Sequence, residues 1–203
     1  MKVFASGLLI IAVMFASSVE AQQTVNGCLI KRKTNCQGVN LSGTDLTKSN
    51  LSGADLSGAN LSGANLSADR ITEANLIRAD LSGANLSGTN LSETYMTGAN
   101  LSHANLAKAN LSQSSLPDAN LREANLAGAD CSLANLKGAD LTGANAKGAV
   151  FIMTLFANTN LTRVDLTEAT LVGTDLRSTI LEGAIFCKTI MPDRSVNNSG
   201  CQK

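Results

Sequence analysis

"ADLSGANLSGANLSADRITEANL" occupies Ala54 to Leu76, and within it Leu56, Leu61, Leu66, Ile71 and Leu76 stand five residues apart. An interval of five matches neither the 3.6 of an amphipathic helix nor the 2.0 of a half-buried strand. A short fixed interval predicts a solenoid, in which successive copies of one small unit stack and cover one another. Working outward from this stretch, the same frame runs without insertion from Thr34 to Asp193, which makes thirty-two five-residue units.

Each unit has a large apolar centre, usually Leu; Met96, Cys131, Ala146, Phe151, Phe156 and Phe186 replace it without loss of apolar character. Two places earlier stands a small residue, as at Ala54, Ala59 and Ala64, and between the two stands Asn or Asp, as at Asn60, Asn65 and Asp80. The large and small positions are expected to point inward together, with the polar residue and the following Ser-Gly outward. Gly recurs two places after the centre, where a sharp turn favours positive φ. Lys48, Glu73, His103 and Gln113 occupy the same place, so some turns must accept a side chain.

The repeated A-(D/N)-L-x-x pattern resembles the pentapeptide repeat family over most of the chain. The resemblance implies an all-β fold, a right-handed quadrilateral parallel β-helix with four units per coil. Eight coils at about 4.8 Å each would make a rod roughly 38 Å long. The residues on either side of the repeat frame add a signal peptide (1–21) and an N-terminal cap (22–33) before the repeat β-helix (34–193), and a C-terminal cap or tail (194–203) after it.

With four units per coil, residues twenty apart share a wall. Asn65, Asn85, Asn105, Asn125 and Asn145 then form one column between Asp45 and Asp165. Such an array could meet a regular lattice or a carbohydrate, or it could serve turn hydrogen bonding and solubility. The column of Asn35, Asp55, Asn75, Tyr95, Ser115, Asn135, Leu155 and Asp175 is the least regular, and its neighbour holds Arg70 and Val150. Arg70, Tyr95, Ser115, Val150 and Leu155 are therefore the candidate interaction surface, since exposed Tyr and Arg are enriched at contact sites. Asp69, at a position normally small and inward, invites a local bulge or an ion pair with Arg70. Near the end Ile180, Ile185 and Ile190 take outward positions. They are read either as a homodimer interface, which relatives in the family build at this end, or as packing under a C-terminal cap.

The chain begins with one lysine, an apolar run from Val3 to about Ala16 and a small-residue exit at Ala21, the pattern of a secretory signal peptide cut after Ala21. The mature chain would be secreted or periplasmic, with no membrane span. Of five cysteines, Cys28 and Cys36 precede or open the repeats and Cys187 and Cys201 lie at their end, so one disulfide is expected to pin each end in an oxidising compartment. Cys131, standing where a leucine is usual, reads as a buried thiol.

Sixteen basic and sixteen acidic residues leave no net charge to steer the chain toward nucleic acid or an anionic bilayer. Some family members mimic a DNA duplex and bind type II topoisomerases. That reading needs a strongly acidic face and a cytosolic protein, and neither is expected here. His103 is the sole histidine, no phosphate-binding glycine loop or CxxC occurs, and the serines lie in repeat positions. The sequence thus predicts an exported, non-enzymatic structural scaffold or protein-interaction surface, with no cofactor or metal and with its protein partner unspecified.

Overall fold

The computed structural model describes residues 23–201. The signal-peptide segment and its cleavage point lie outside the described residues. From Asn35 onward the chain winds into stacked coils in which each residue of the Asn/Asp column bridges, in parallel, the residue twenty places on: Asn40 with Asn60, Asn60 with Asp80, Asp80 with Asn100. Four columns of such bridges define four walls. The first runs through Asn35 to Leu155, the second through Asn40 to Ile180, the third through Asp45 to Ile185 and the fourth through Asn50 to Ile190.

The hydrogen bonds explain why five residues suffice for one side. Asp80 donates its N–H to the Ala59 carbonyl (2.9 Å) and accepts from the Leu61 N–H (2.6 Å), while the Gly63 N–H donates to the Ser82 carbonyl (2.9 Å). The Ala64 N–H then closes a turn onto the Leu61 carbonyl at 3.0 Å. Axial bonds join the coils and the turn bond makes the corner, so the backbone polar groups inside the rod find partners. The Asn or Asp side chain braces the same corner: Asn60 Oδ1 accepts from the Ser62 N–H at 3.0 Å.

The centres and the small residues fill the interior, as expected. Leu41 through Leu126 and Ala54 through Ala129 are essentially inaccessible wherever they occupy those positions. Each buried leucine contributes on the order of 1.5–3 kcal/mol. Threonines at the small position are accommodated because Thr89 Oγ1 donates to the Leu66 carbonyl (2.6 Å) and Thr154 Oγ1 to the Cys131 carbonyl (2.7 Å). Phe151 and Phe156 pack with ring centroids 5.3 Å apart. Ala146 stands on the wall opposite Phe156, a small centre balancing a large one.

The ends differ. At the start, β1 (Thr24–Val25) and β2 (Cys28–Leu29) form an antiparallel hairpin, and Ile30 and Cys28 join the core. The Cys28–Cys36 disulfide ties this hairpin to the first coil, with Cα atoms 5.4 Å apart. At the finish, β3 (Thr189–Ile190) pairs antiparallel with β4 (Val196–Asn197), and Cys187–Cys201 holds the tail with Cα atoms 4.6 Å apart. Both pairings are those the sequence predicts. Leu41, Leu46 and Leu51 under the first hairpin are fully buried, whereas the last centres, Leu176, Leu181, Phe186 and Met191, are only partly so.

One rung is missing. In the series of bridges from Asn35 to Ile190, only Leu155 and Asp175 fail to pair. There the Asn158 N–H donates to Ser178 Oγ (3.2 Å), and the Asp175 carboxylate turns to Arg177. No helix among the described residues is long and apolar enough to cross a membrane.

Candidate functional site

Two adjacent walls are closed by their own side chains. On the third, the Asn85 side-chain amide donates to Asn65 Oδ1 (3.0 Å), Asn105 to Asn85 (3.2 Å), Asn125 to Asn105 (3.1 Å) and Asn145 to Asn125 (3.1 Å). Each accepting Oδ1 also takes a backbone N–H two residues on, as Asn105 does from Ala107. The second wall repeats this from Asp80 through Asn100 to Asn120. The Asn column expected as an open array for a lattice or carbohydrate therefore spends much of its hydrogen-bonding capacity on itself.

The first wall and its flanking corners are different. Tyr95 (55% exposed) and Leu155 (58%) project from the wall; Leu133 (52%), Ile152 and Met153 (57%) project from the corner shared with the fourth wall, and Ile77 from the corner shared with the second. Every exposed large apolar side chain described before Ile180 thus lies on one wall or its edges. Tyr95 and Ser115 are bridged neighbours, and Leu155 lies two coils beyond Ser115. Arg70 and Val150 stand on the fourth wall four coils apart, about 19 Å at the β-pairing spacing. The five sequence candidates consequently divide into an early group, Arg70, Tyr95 and Ser115, and a late one, Val150 and Leu155. Leu133, Ile152 and Met153 strengthen the late group. Their signal was an apolar residue at a turn position, which the repeat pattern alone treats as interchangeable.

The corner between the fourth and first walls carries a further departure. Glu73, Glu93, Gln113, Leu133 and Met153 occupy its third turn position in five successive coils, with φ of 57°, 59°, 59°, 60° and 54°. Gly53 and Gly173 hold the coils on either side. Side chains in this left-handed region are strained where glycine is not.

Asp69 makes neither of the expected arrangements. Arg70 keeps its bridges to Asn50 and Asn90, so there is no bulge, and the pair forms no salt bridge. Instead the buried carboxylate accepts from Ser49 Oγ one coil away and from the Arg70 backbone N–H (2.8 Å). Burial pushes its pKa up, with both hydrogen bonds opposing. Cys131 is free and buried as expected, its thiol pushed up by burial and by neighbouring Asp130. Asp175 is the opposite case: the Arg177 side chain and backbone N–H hold it down at about 2. His103 Nδ1 lies 3.3 Å from Glu123 Oε2, both exposed on a corner.

At the C-terminal end the tail reaches some of the isoleucines and not others. Ile190 is in β3, and Gly200 packs against Ile185 and bonds the Phe186 carbonyl through its N–H (2.8 Å). Ile180 remains 53% exposed. Packing under a cap therefore accounts for two of the three only in part, and for Ile180 not at all. Among the described residues no group of His, Cys, Asp and Glu is placed to hold a metal ion.

The pentapeptide repeats family model matches residues 33–68, 74–113, 114–151 and 147–183, in eight copies. This chain belongs to the pentapeptide repeat family. Among solved structures, this pentapeptide repeat chain is similar to trypsin-treated QnrB1, a plasmid-mediated fluoroquinolone resistance protein, at 23% identity with a TM-score of 0.61. The match covers 75% of this chain and 80% of that one. It is also similar to HetL, a pentapeptide repeat protein involved in heterocyst differentiation regulation from the cyanobacterium Nostoc sp. strain PCC 7120. That match is 30% identical with a TM-score of 0.36, over 82% of this chain and 92% of HetL. A search of curated proteins found no match. The fold is the right-handed quadrilateral β-helix of the family, whose members are in general structural or interaction proteins and not enzymes.

Proposed function

We propose that this pentapeptide repeat chain is an exported, non-enzymatic scaffold that binds a protein partner through its first wall and adjoining corners. One observation carries the reading: the second and third walls carry amide ladders, and the large exposed apolar groups before the last coil gather on the first wall and its two corners. Contiguous exposed apolar surface is uncommon on a monomer and marks contact sites. Export is supported by the N-terminal apolar segment and by a disulfide at each end, which suits an oxidising compartment. The likeness to QnrB1 bears on the fold, and the balanced charge gives no support to a duplex mimic.

A second contact is favoured by the partly open C-terminal end, where Leu176, Leu181, Phe186 and Met191 meet exposed Ile180: an end-to-end homodimer. Photo-crosslinking in the native host tests both, with probes at Tyr95, Met153, Ile180 and, as a control on an amide-ladder wall, Asn105. A discrete heterologous adduct on the first wall or its corners, absent at Asn105, supports the scaffold. Self-adducts at Ile180 support the homodimer. Absence of heterologous adducts at every probe sinks the scaffold reading. N-terminal sequencing of the recovered protein should begin at Gln22; an intact Met1 would sink export by signal cleavage.

A further inference from the structure

The corner between the fourth and first walls combines three properties that no other corner shares. Five successive coils place a large side chain at a strained turn position. Those side chains are all exposed. They also change character along the axis, from Glu73 and Glu93 through Gln113 to Leu133 and Met153, with Ile152 and Leu155 beside the apolar end. Neither glutamate takes part in a salt bridge among the described residues, although His103–Glu123 and Lys188–Glu168 show that corner glutamates can pair with the coil next to them. Strain and solvent exposure both disfavour Leu133 and Met153 where they stand, and stability of the rod gives no reason for them.

Resting on the scaffold reading, we propose that this corner is a docking rail for an amphipathic helix of a partner protein that sets basic side chains against Glu73 and Glu93 and apolar ones against Leu133, Met153 and Leu155. The dimensions agree. Glu73 to Met153 is four coil rises, about 19 Å at 4.8 Å each, which a helix of roughly 13 residues spans at 1.5 Å per residue. One helical turn, about 5.4 Å, advances nearly one coil, so a single face of the helix meets successive rungs. Charge also weighs against a second copy in its parallel pairing and in the antiparallel pairing of Leu133 with Met153. A parallel copy sets Glu73 and Glu93 against themselves. An antiparallel copy that matches Leu133 with Met153 brings Glu93 to Asp193. A basic and apolar helix meets neither conflict.

The test uses the full chain recovered from its host and two synthetic 18-residue helical peptides. One carries two lysines in its first turns and leucines in its last turns along one face; the other has glutamates for the lysines. Fluorescence anisotropy should show the lysine peptide binding at least tenfold more tightly, with the preference weakening as salt rises. Glu73→Gln with Glu93→Gln should abolish the preference. Leu133→Gly with Met153→Gly should weaken the lysine peptide at least tenfold. These glycines restore the residue that Gly53 and Gly173 show in the same column, and an unchanged thermal melt confirms that the fold is intact. Equal binding of the two peptides, binding by neither, or full affinity in the glycine variant overturns the rail. Self-association of the full chain in sedimentation that the glycine variant loses also overturns it, in favour of a second copy. A heterologous in-cell adduct at Tyr95 with none at Met153 would refute the rail and leave the scaffold standing.

Discussion

The wall built on Asn65 to Asn145 and the corner built on Glu73 to Met153 repeat at the same twenty-residue spacing, but the wall residues are β-bridged and the corner residues sit in left-handed turns. On the wall, each amide bonds to the amide one coil below and to a backbone N–H, so identical side chains repeated at one spacing reinforce one another. On the corner, the same spacing places bulky groups where the turn would be relaxed with glycine and where water surrounds them. The difference teaches that uniformity in this rod serves packing, and that departure from uniformity is informative in proportion to what it costs.

The harshest way to break the comparison is to remove the core that both regions rest on. Leu106→Asp buries a carboxylate beneath the amide ladder with no partner and should cost more than about 4 kcal/mol. Loss of the cooperative thermal transition is expected, and a melting temperature near the parent's would contradict the core assignment. Asn105→Ala next interrupts the ladder, deleting its bonds to Asn85, Asn125 and the Ala107 N–H. A cost of about 1–2 kcal/mol in urea denaturation is expected. No change would mean that the ladder is ornamental.

Asp69 sharpens the contrast between a polar group that suits its place and one that does not. Its folded pKa is raised, so its favourable contribution is complete in acid, below the unfolded pKa, and is lost as pH rises through the folded value. Asp69→Asn should therefore gain on the parent as pH climbs from the ordinary carboxylate range toward neutrality. A constant difference across that range would remove burial as the cause. The smallest effect belongs to the corner: Leu133→Gly and Met153→Gly should each leave stability within about 1 kcal/mol of the parent, because relief of strain offsets the freedom glycine gains when unfolded. A loss well beyond that would show these side chains to be structural.

The fold was legible because a leucine every fifth residue admits so few backbones, and the disulfides because the cysteines sit in pairs at the two ends. The four-sided cross-section came through the family likeness, since five residues per side do not dictate how many sides close a coil. The site was legible in part. Tyr95 and Leu155 stood out at positions where Asn or Asp is the rule, but Leu133 and Met153 sit where the repeat already tolerates Gly, Lys, Glu and Gln, so that neither stands out by residue type although the twenty-residue spacing aligns them. Asp69 misled the reading toward Arg70, its neighbour in the chain. Its hydroxyl partner, Ser49, lies twenty residues away on the coil below.

The unbroken frame from Thr34 to Asp193 makes the chain a protractor as well as a ruler. Duplicating one five-residue unit anywhere between Gln113 and Leu133 would swing everything beyond it by a quarter turn, leaving every unit chemically unchanged while parting the acidic stretch of the corner from the apolar one. Duplicating four units would return the two to the same bearing, one coil farther apart.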